Sequence, residues 1–329
     1  MSDNRYTPED LKIMQSWSLE RKIQVTQTRI IEWYQKNNGK VYVSFSGGKD
    51  STVLLDLVRR IYPDVPAVFI DTGLEYPELR EFVKTIQNVT WLKPEMNFRK
   101  VIEKYGYPVI SKYVAEEIYN ARKGGYGLER FDDDSEYNKK YGYRYSVSRW
   151  TWLKDSNIPI SNKCCAEMKK KPVEKYEKET GNKVIVGTMA CESRTRKTAW
   201  LKNGCNAFDS KRPISQPISF WTEQDVLHYI KEFNVPYCPV YGEIKVDDHP
   251  EFEGQMNWID YLGCYEPQDR LTTTGLSRTG CMFCMFGVHL EKEPNRFQRM
   301  KVTHTKQYAY CMDKLGLRGV LEYIGVPYE

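Results

Sequence analysis

The sequence predicts an α/β protein, a twisted parallel sheet with helices on both faces, and three observations carry that expectation. Short runs of β-branched and aromatic residues alternate with amphipathic segments from Val41 to Leu92. The first run is joined to the next helix through two glycines, Gly47 and Gly48. No apolar stretch approaches the length that spans a membrane.

The elements follow in order. Thr7-Pro8-Glu9-Asp10 opens a helix, with Thr as N-cap, Pro at the first position and Asp three residues on. Helical segments run to about Gln35, and "KNNGK" ends them. Val41, Val43 and Phe45 mark a buried strand, and Asp50 and Ser51 open a helix with Val53, Leu54, Leu57 and Val58 on one face. "AVFID" is a second strand, Pro77 starts the next helix, and a third strand lies near Val89 to Leu92. Residues 123–149 lack periodicity and read as a long loop or insertion. A helix then ends at Gly181, "KVIVGT" is a strand, and Thr222 with Asp225 caps an amphipathic helix. Beyond Pro236 the chain is irregular. The expected organisation is N-terminal helices over 1–40, a nucleotide-binding α/β domain over 41–235, and a Cys-containing region over 236–329.

Bulk composition narrows the function classes. The chain has 329 residues, 40% hydrophobic, which suffices for a substantial core. Its polar start, "MSDNRYTPED", is unlike a signal peptide, so a cytoplasmic setting without membrane contact is expected. Nine cysteines in such a chain favour metal or catalytic use over a disulfide framework. The net charge of +5 is modest, but Lys169–Lys171 and the region from Arg194 to Arg212 concentrate cations. For Lys169–Lys171 a solvated helix face is the alternative. Tyr141, Tyr143, Tyr145, Trp150 and Trp152 lie among Arg144, Arg149 and Lys154, an interleaving that suits bases and phosphates.

The glycine turn is an anion cradle. Without Cβ atoms at Gly47 and Gly48 the backbone can curl so that its N–H groups converge at the positive end of a helix. Lys49 is followed by Asp50, so this is not G-x-x-x-x-G-K-[ST], and G-x-G-x-x-G is also absent. Asp71, at the end of the second strand, is placed to contact a nucleotide or Mg²⁺, or to cap a helix.

"SFSGGKDS" resembles the PP-loop, S-G-G-x-D-S, of the ATP pyrophosphatase superfamily. The resemblance implies that the loop grips the β- and γ-phosphates while ATP is cut between α and β. Three further stretches resemble one branch, the phosphoadenosine phosphosulfate (PAPS) reductase family: "FIDTGLEYPE", "VGTMACESRTR" and "PISFWTEQDVLHYI". By this resemblance Ser46, Gly47, Gly48, Ser51, Asp71, Thr72, Gly73 and Glu192 bind the nucleotide, and Lys49, Asp50, Arg194 and Arg196 act on it. Arginine forks suit the charge of a leaving pyrophosphate.

The family holds several chemistries: reduction of an adenylylated sulfate, formation of adenylates, and activation of an oxygen so that sulfur replaces it. The reductases, by the family pattern, have a degenerate PP-loop and a Cys-Gly-x-His motif. Here the loop is complete, and Cys311 is the nearest substitute for that thiol.

Cys281-Met-Phe-Cys284 with sulfur partners means zinc, a redox dithiol or an iron–sulfur cluster. Cys164-Cys165 with the distant C-x-x-C resembles the [4Fe–4S] site of the iron–sulfur reductases. Cys264 ahead of "RTGCMFC" instead resembles the iron–sulfur PP-loop subunit of DNA phosphorothioation systems. Cys281 and Cys284 are common to both sets. Cys191, Cys205, Cys238 and Cys311 read as buried thiols, although Cys191 and Cys205, near the arginines, could carry sulfur, while His249, His289 and His304 lack ligand spacing.

The expectation is an enzyme using ATP, Mg²⁺ and a [4Fe–4S] cluster. It adenylylates an acceptor for sulfur transfer to a nucleic acid or metabolite, with a sulfur donor such as a cysteine desulfurase. The alternatives are a sulfonucleotide reductase and a nucleotide-gated binding module in a larger assembly.

Overall fold

The computed structural model describes residues 4–124, 127–247 and 269–329. It divides into two compact units, each drawn from separated stretches. The first comprises Met1–Ile70, Tyr76–Leu92 and Glu174–Thr279; the second comprises Asp71–Glu75, Lys93–Val173 and Gly280–Glu329. Residues 1–40 therefore group with the sheet, and 236–329 is shared between the units.

In the first unit, with elements numbered along the whole chain, β1 (Val41–Ser44), β2 (Ala67–Ile70), β3 (Val89–Leu92) and β5 (Lys183–Val186) pair in parallel. Two short strands, β6 (Asn206–Ala207) and β7 (Ile214–Ser215), complete the order β3-β2-β1-β5-β7-β6, with β6 antiparallel at the edge. This is the expected α/β architecture. Along the sheet the chain moves outward from β1 through β2 to β3, then resumes on the other side of β1 at β5. Such a reversal opens a crevice at the carboxyl ends of β1 and β5, where ligands of open parallel sheets bind.

The helices form for the reasons the sequence offers. α1 (Pro8–Gln15) starts with a complete capping box between Thr7 and Asp10, and α4 (Pro77–Thr85) has Pro77 in its first turn. α2 (Leu19–Lys36), α3 (Lys49–Arg59) and α11 (Glu223–Glu232) pack on one another. Their core includes Ile30, Trp33, Val53, Leu54, Leu57 and Val226, all fully buried. α2 and α11 are also joined by an interior ion pair, Lys22 Nζ to Asp225 Oδ1 at 2.7 Å. Asp225 closes the α11 capping box with Thr222 as well, so removing either charge would strand a buried partner at roughly 3–5 kcal/mol.

The second unit holds α5 (Phe98–Tyr105), β4 (Val109–Ile110), α6 (Lys112–Arg122) and β10 (Met285–Phe286), which pairs in parallel with β4. Its core includes Val101, Val109, Ile118, Leu153, Phe297 and Leu321. The aperiodic stretch 123–149 contains the short helical pieces Leu128–Phe131 and Glu136–Lys140, and a third, Ser148–Trp150, begins at its end. Among the described residues no helix is long and apolar enough to cross a membrane.

Candidate nucleotide cleft and thiol cavity

The first unit carries a cleft with about 980 Å³ of atom-free space at the β1/β5 crevice. One wall is the loop from Ser44 through Ser51; the other is Val186, Gly187 and Thr188 after β5. Two glycines make this possible. Gly47 has φ +74, and a Cβ there would stand 2.7 Å from Leu79 Cδ2 and 2.8 Å from Val83 Cγ2. At Gly48 a Cβ would stand 2.9 Å from Thr279 Oγ1.

Gly48 is also the N-cap of α3, and as a glycine it has no side chain to cap the helix. Its opening amides are the donors that make a helix start an anion site. The loop is stapled by its serines. Ser51 Oγ accepts from Ser46 N at 3.2 Å and donates to Gly48 O at 2.9 Å, and the two serine hydroxyls are 3.1 Å apart. The Lys49 amide donates to the Tyr241 hydroxyl at 3.1 Å, which in turn bonds Thr279 Oγ1 at 2.9 Å.

Charge is concentrated on the same walls. The buried Lys49 ammonium donates to Ser277 O at 2.9 Å, pairs with Glu223 at 3.1 Å, and lies 3.7 Å from Asp50 Oδ1. Burial alone would lower its pKa, but the carboxylates of Asp50 and Glu223 outweigh burial and hold it raised. Burial raises the pKa of Asp50 against the pull of Lys49, and Asp50 Oδ1 makes no hydrogen bond. Arg196 ion-pairs with Glu192, whose carboxylate also accepts from Met189 N at 2.8 Å. Burial and then Arg278 lower the pKa of Arg196.

The structure brings Ser46, Gly48, Lys49, Asp50, Ser51, Glu192 and Arg196 together on this cleft and adds Tyr241, Arg278 and Thr279. It leaves Arg194 exposed and outside the lining. The reason is helical geometry. α10 (Arg194–Asn203) begins at that residue, and two positions along a helix turn a side chain about 200° away. Cys191 is exposed, with Arg278 and Asp50 among its charged neighbours, whereas Cys205 is buried beside Ser219. Asp71, Thr72 and Gly73 belong to the second unit. There Gly73 N donates to Asp71 Oδ1 at 3.3 Å and Thr72 Oγ1 to Glu75 Oε1 at 2.6 Å.

The second unit gathers Cys164, Cys165, Cys281 and Cys284 on one cavity with about 350 Å³ of atom-free space. Leu74, Phe98, Pro108 and Met168 give it apolar walls, and Lys169 projects into it. Cys164 Sγ lies 4.0 Å from Cys165 Sγ. The C-x-x-C turn is fixed by Met282 N donating to Leu74 O at 2.8 Å and by Arg296 donating to Cys284 O at 2.9 Å. The bond from Cys164, helped by Lys112 and Lys169, draws the Cys165 thiol down to about 5, and Cys164 is pushed up in turn. Burial raises both Cys281 and Cys284. Lys169 stays charged although burial opposes it, because Cys281 and Glu75 favour the ammonium.

Among the described residues no group of three or more His, Cys, Asp or Glu side chains could hold a metal ion as placed. Cys264 and His249 lie outside the described residues. His289 packs edge-on against Trp150, 5.6 Å between centroids.

Sequence reasoning missed Tyr241, Thr279, Glu223, Arg278 and Lys169 as site residues. The first three carry no local signature. Arg278 was visible only as a flank of the cysteine motif. Lys169 stands four residues after Cys165, one helical turn, and that spacing could have separated it from the solvated run.

Comparison with known proteins agrees with these features. Residues 40–124 and 128–285 match the phosphoadenosine phosphosulfate reductase domain model. An adenosine 5'-phosphosulfate reductase of Lysinibacillus sphaericus (strain C3-41) is 26% identical over 216 residues, covering 65% of this chain and 73% of that protein. An uncharacterized protein of Methanocaldococcus jannaschii is 26% identical over 320 residues, covering 94% of this chain and 58% of its own length. A crystal structure of phosphoadenylyl-sulfate reductase from Candida auris, a phosphate complex, aligns with a TM-score of 0.38 and 16% identity, covering 71% of this chain and 90% of that one. The domain match spans most of the chain, including the glycine loop and the C-x-x-C, and the chain belongs to the phosphoadenosine phosphosulfate reductase family.

Proposed function

We propose that this chain binds ATP in the cleft of the first unit and cleaves it between the α- and β-phosphorus, adenylylating an acceptor ahead of sulfur transfer to a nucleic acid or metabolite. The observation that carries this reading is the start of α3. A helix that starts at a glycine, with no cap hydrogen bond from that residue, opens onto a cleft that also holds Lys49, Arg196 and Arg278. That arrangement suits the outer phosphates of a nucleotide. An acceptor oxygen attacks the α-phosphorus, the bond to the β-phosphate oxygen breaks, and pyrophosphate departs with its charge taken by Lys49 and Arg196. Asp50 Oδ1, buried without a hydrogen bond, fits a magnesium ligand or a nucleotide hydroxyl. A separate protein, such as a cysteine desulfurase, would supply the sulfur.

A [4Fe–4S] cluster fits the donor set of the second unit. Cys164, Cys165, Cys281 and Cys284 would hold it, with Lys169 beside them offsetting thiolate charge. A single zinc needs four sulfurs about 2.3 Å from one point, whereas a cluster gives each thiolate its own iron. When bound, such a cluster supplies an iron–sulfur centre whose potential depends on hydrogen bonds and exposure.

A sulfonucleotide reductase is the second reading, favoured by the four-thiol cavity and by the reductase named among the relatives. Against it, Cys311 is fully buried, bonds Tyr308 O at 3.3 Å, and is pushed up to about 12 by burial, so it is a poor attacking thiol. The test is product analysis. ATP with candidate acceptors should give AMP and pyrophosphate rather than ADP and phosphate. Sulfite release from adenylylsulfate or its 3′-phosphorylated form with a thiol reductant, and no ATP turnover, would replace the first reading with the second.

A further inference from the structure

We propose that residues 137–154 of the second unit form a platform for single-stranded nucleic acid, with bases stacking on exposed rings and phosphates meeting the cations between them. This deepens the reading above by naming the acceptor class.

The stretch is unusual in composition. Its eighteen residues hold six aromatic side chains, five Lys or Arg, and no Asp or Glu. Tyr141, Tyr143, Tyr145 and Trp152 are 45%, 51%, 37% and 43% exposed. A fold that used these rings as core would bury them, and neighbouring exposed rings mark binding surfaces.

Tyr141 touches Tyr137 and Tyr145, at 4.7 and 5.9 Å between centroids, and Trp152 touches Tyr323 at 5.5 Å, but hydrogen bonds from other side chains also fix the segment. The buried Asn138 amide donates to Glu129 O at 3.1 Å and Asp132 O at 2.8 Å. The Arg122 guanidinium donates to the carbonyls of Leu153 and Lys154 at 2.8 Å each, and of Ser156 at 2.7 Å. The backbone is thus fixed by side chains, and Tyr141, Tyr143, Tyr145 and Trp152 keep part of each ring open to solvent. Tyr143 even takes φ +60, a conformation that costs energy for an aromatic residue, and its ring recovers little of that cost by burial.

The cations identify the partner. Lys139 lies 3.9 Å from Asp134, and Lys154 is paired with Asp155. Among the described residues, Lys140, Arg144 and Arg149 have no carboxylate partner. Each sits instead over a ring, at 5.7 Å from Tyr141, 5.7 Å from Tyr145 and 4.7 Å from Trp150. Rings with an uncompensated cation beside them match a ligand that has a π-face and an anion in every repeat. A duplex hides its base faces, so the fit is to a single strand.

The test is fluorescence anisotropy of the full chain with labelled twenty-nucleotide oligo(dT) or oligo(U), and with a twenty-base-pair duplex, no ATP added. Single strands should bind at least tenfold tighter than the duplex. Tyr141→Ala and Trp152→Ala should each weaken binding roughly tenfold, and Tyr141→Phe should keep it. Lys140→Ser with Arg144→Ser and Arg149→Ser should flatten the salt dependence without touching the rings. Equal affinity for duplex, indifference to both variant sets, or no binding at low salt would overturn the platform. Indifference combined with a changed oligomeric state would assign the surface to a protein contact instead. Because no turnover is involved, failure here leaves the ATP reaction standing, and lack of AMP with intact binding would condemn the reaction alone.

Discussion

The cleft of the first unit and the cavity of the second hold their chemistry in opposite ways. The cleft works largely through main chain: the opening of α3, the glycines beneath it, and cations already balanced by Asp50, Glu223 and Glu192. The cavity works through side chains: four thiols and one ammonium among apolar walls. Hard phosphate oxygens are recognised by donors at fixed positions, which backbone supplies. Iron is recognised by soft thiolates, which only cysteine supplies. Substitutions should therefore fail differently in the two units.

The largest effect is expected at the cavity, because the proposed cluster would be lost whole. Protein purified anaerobically should be brown with about four irons per chain, and Cys281→Ser or Cys284→Ser should bleach it. A colourless protein with one zinc would break the comparison at its second term. Lys49→Ala comes next. Its buried ammonium lines the cleft, and its attraction to a departing pyrophosphate grows as charge develops there. Turnover should fall roughly a hundredfold or more, with ATP affinity changing far less, read from kcat against calorimetric Kd. A loss confined to Kd would mean that Lys49 only binds.

The two arginines sharpen the comparison within one helix. Arg196 lines the cleft and Arg194 is exposed outside it. Arg196→Ala should lower kcat/KM about tenfold or more, while Arg194→Ala should stay within about twofold. Equal losses would mean that α10 turns differently when nucleotide is bound.

This pair also shows how far the sequence could be read. The parallel sheet, the glycine loop and the capped helices were legible because each depends on local pattern: period, caps, and residues without Cβ. That Cys164, Cys165, Cys281 and Cys284 share one cavity could be expected only by resemblance, since β4 and β10 pair across a long stretch of chain. Tyr241, Thr279 and Glu223 were not legible. A tyrosine or a glutamate joins a site by long-range packing, and nothing in its neighbours announces it. Arg194 lies outside the cleft for the converse reason: a cluster of arginines in sequence is not a cluster in space once a helix rotates its members apart.

Tyr241 gives the smallest predicted effect and the finest test. Its hydroxyl accepts from the Lys49 amide at 3.1 Å, one of the donors at the start of α3, and burial raises its pKa so that it stays protonated. A phosphate oxygen seated on that helix would compete for the same amide. Tyr241→Phe removes the hydroxyl and leaves the Lys49 N–H and the Thr279 hydroxyl short of a partner, at a cost of about 1–2 kcal/mol. If phosphate takes the amide over, ATP should restore most of that loss. Thermal unfolding should then show a deficit for Tyr241→Phe without nucleotide that shrinks at saturating ATP. An equal deficit in both conditions would mean that the hydroxyl keeps the amide throughout, and that the nucleotide's phosphates seat elsewhere on the loop.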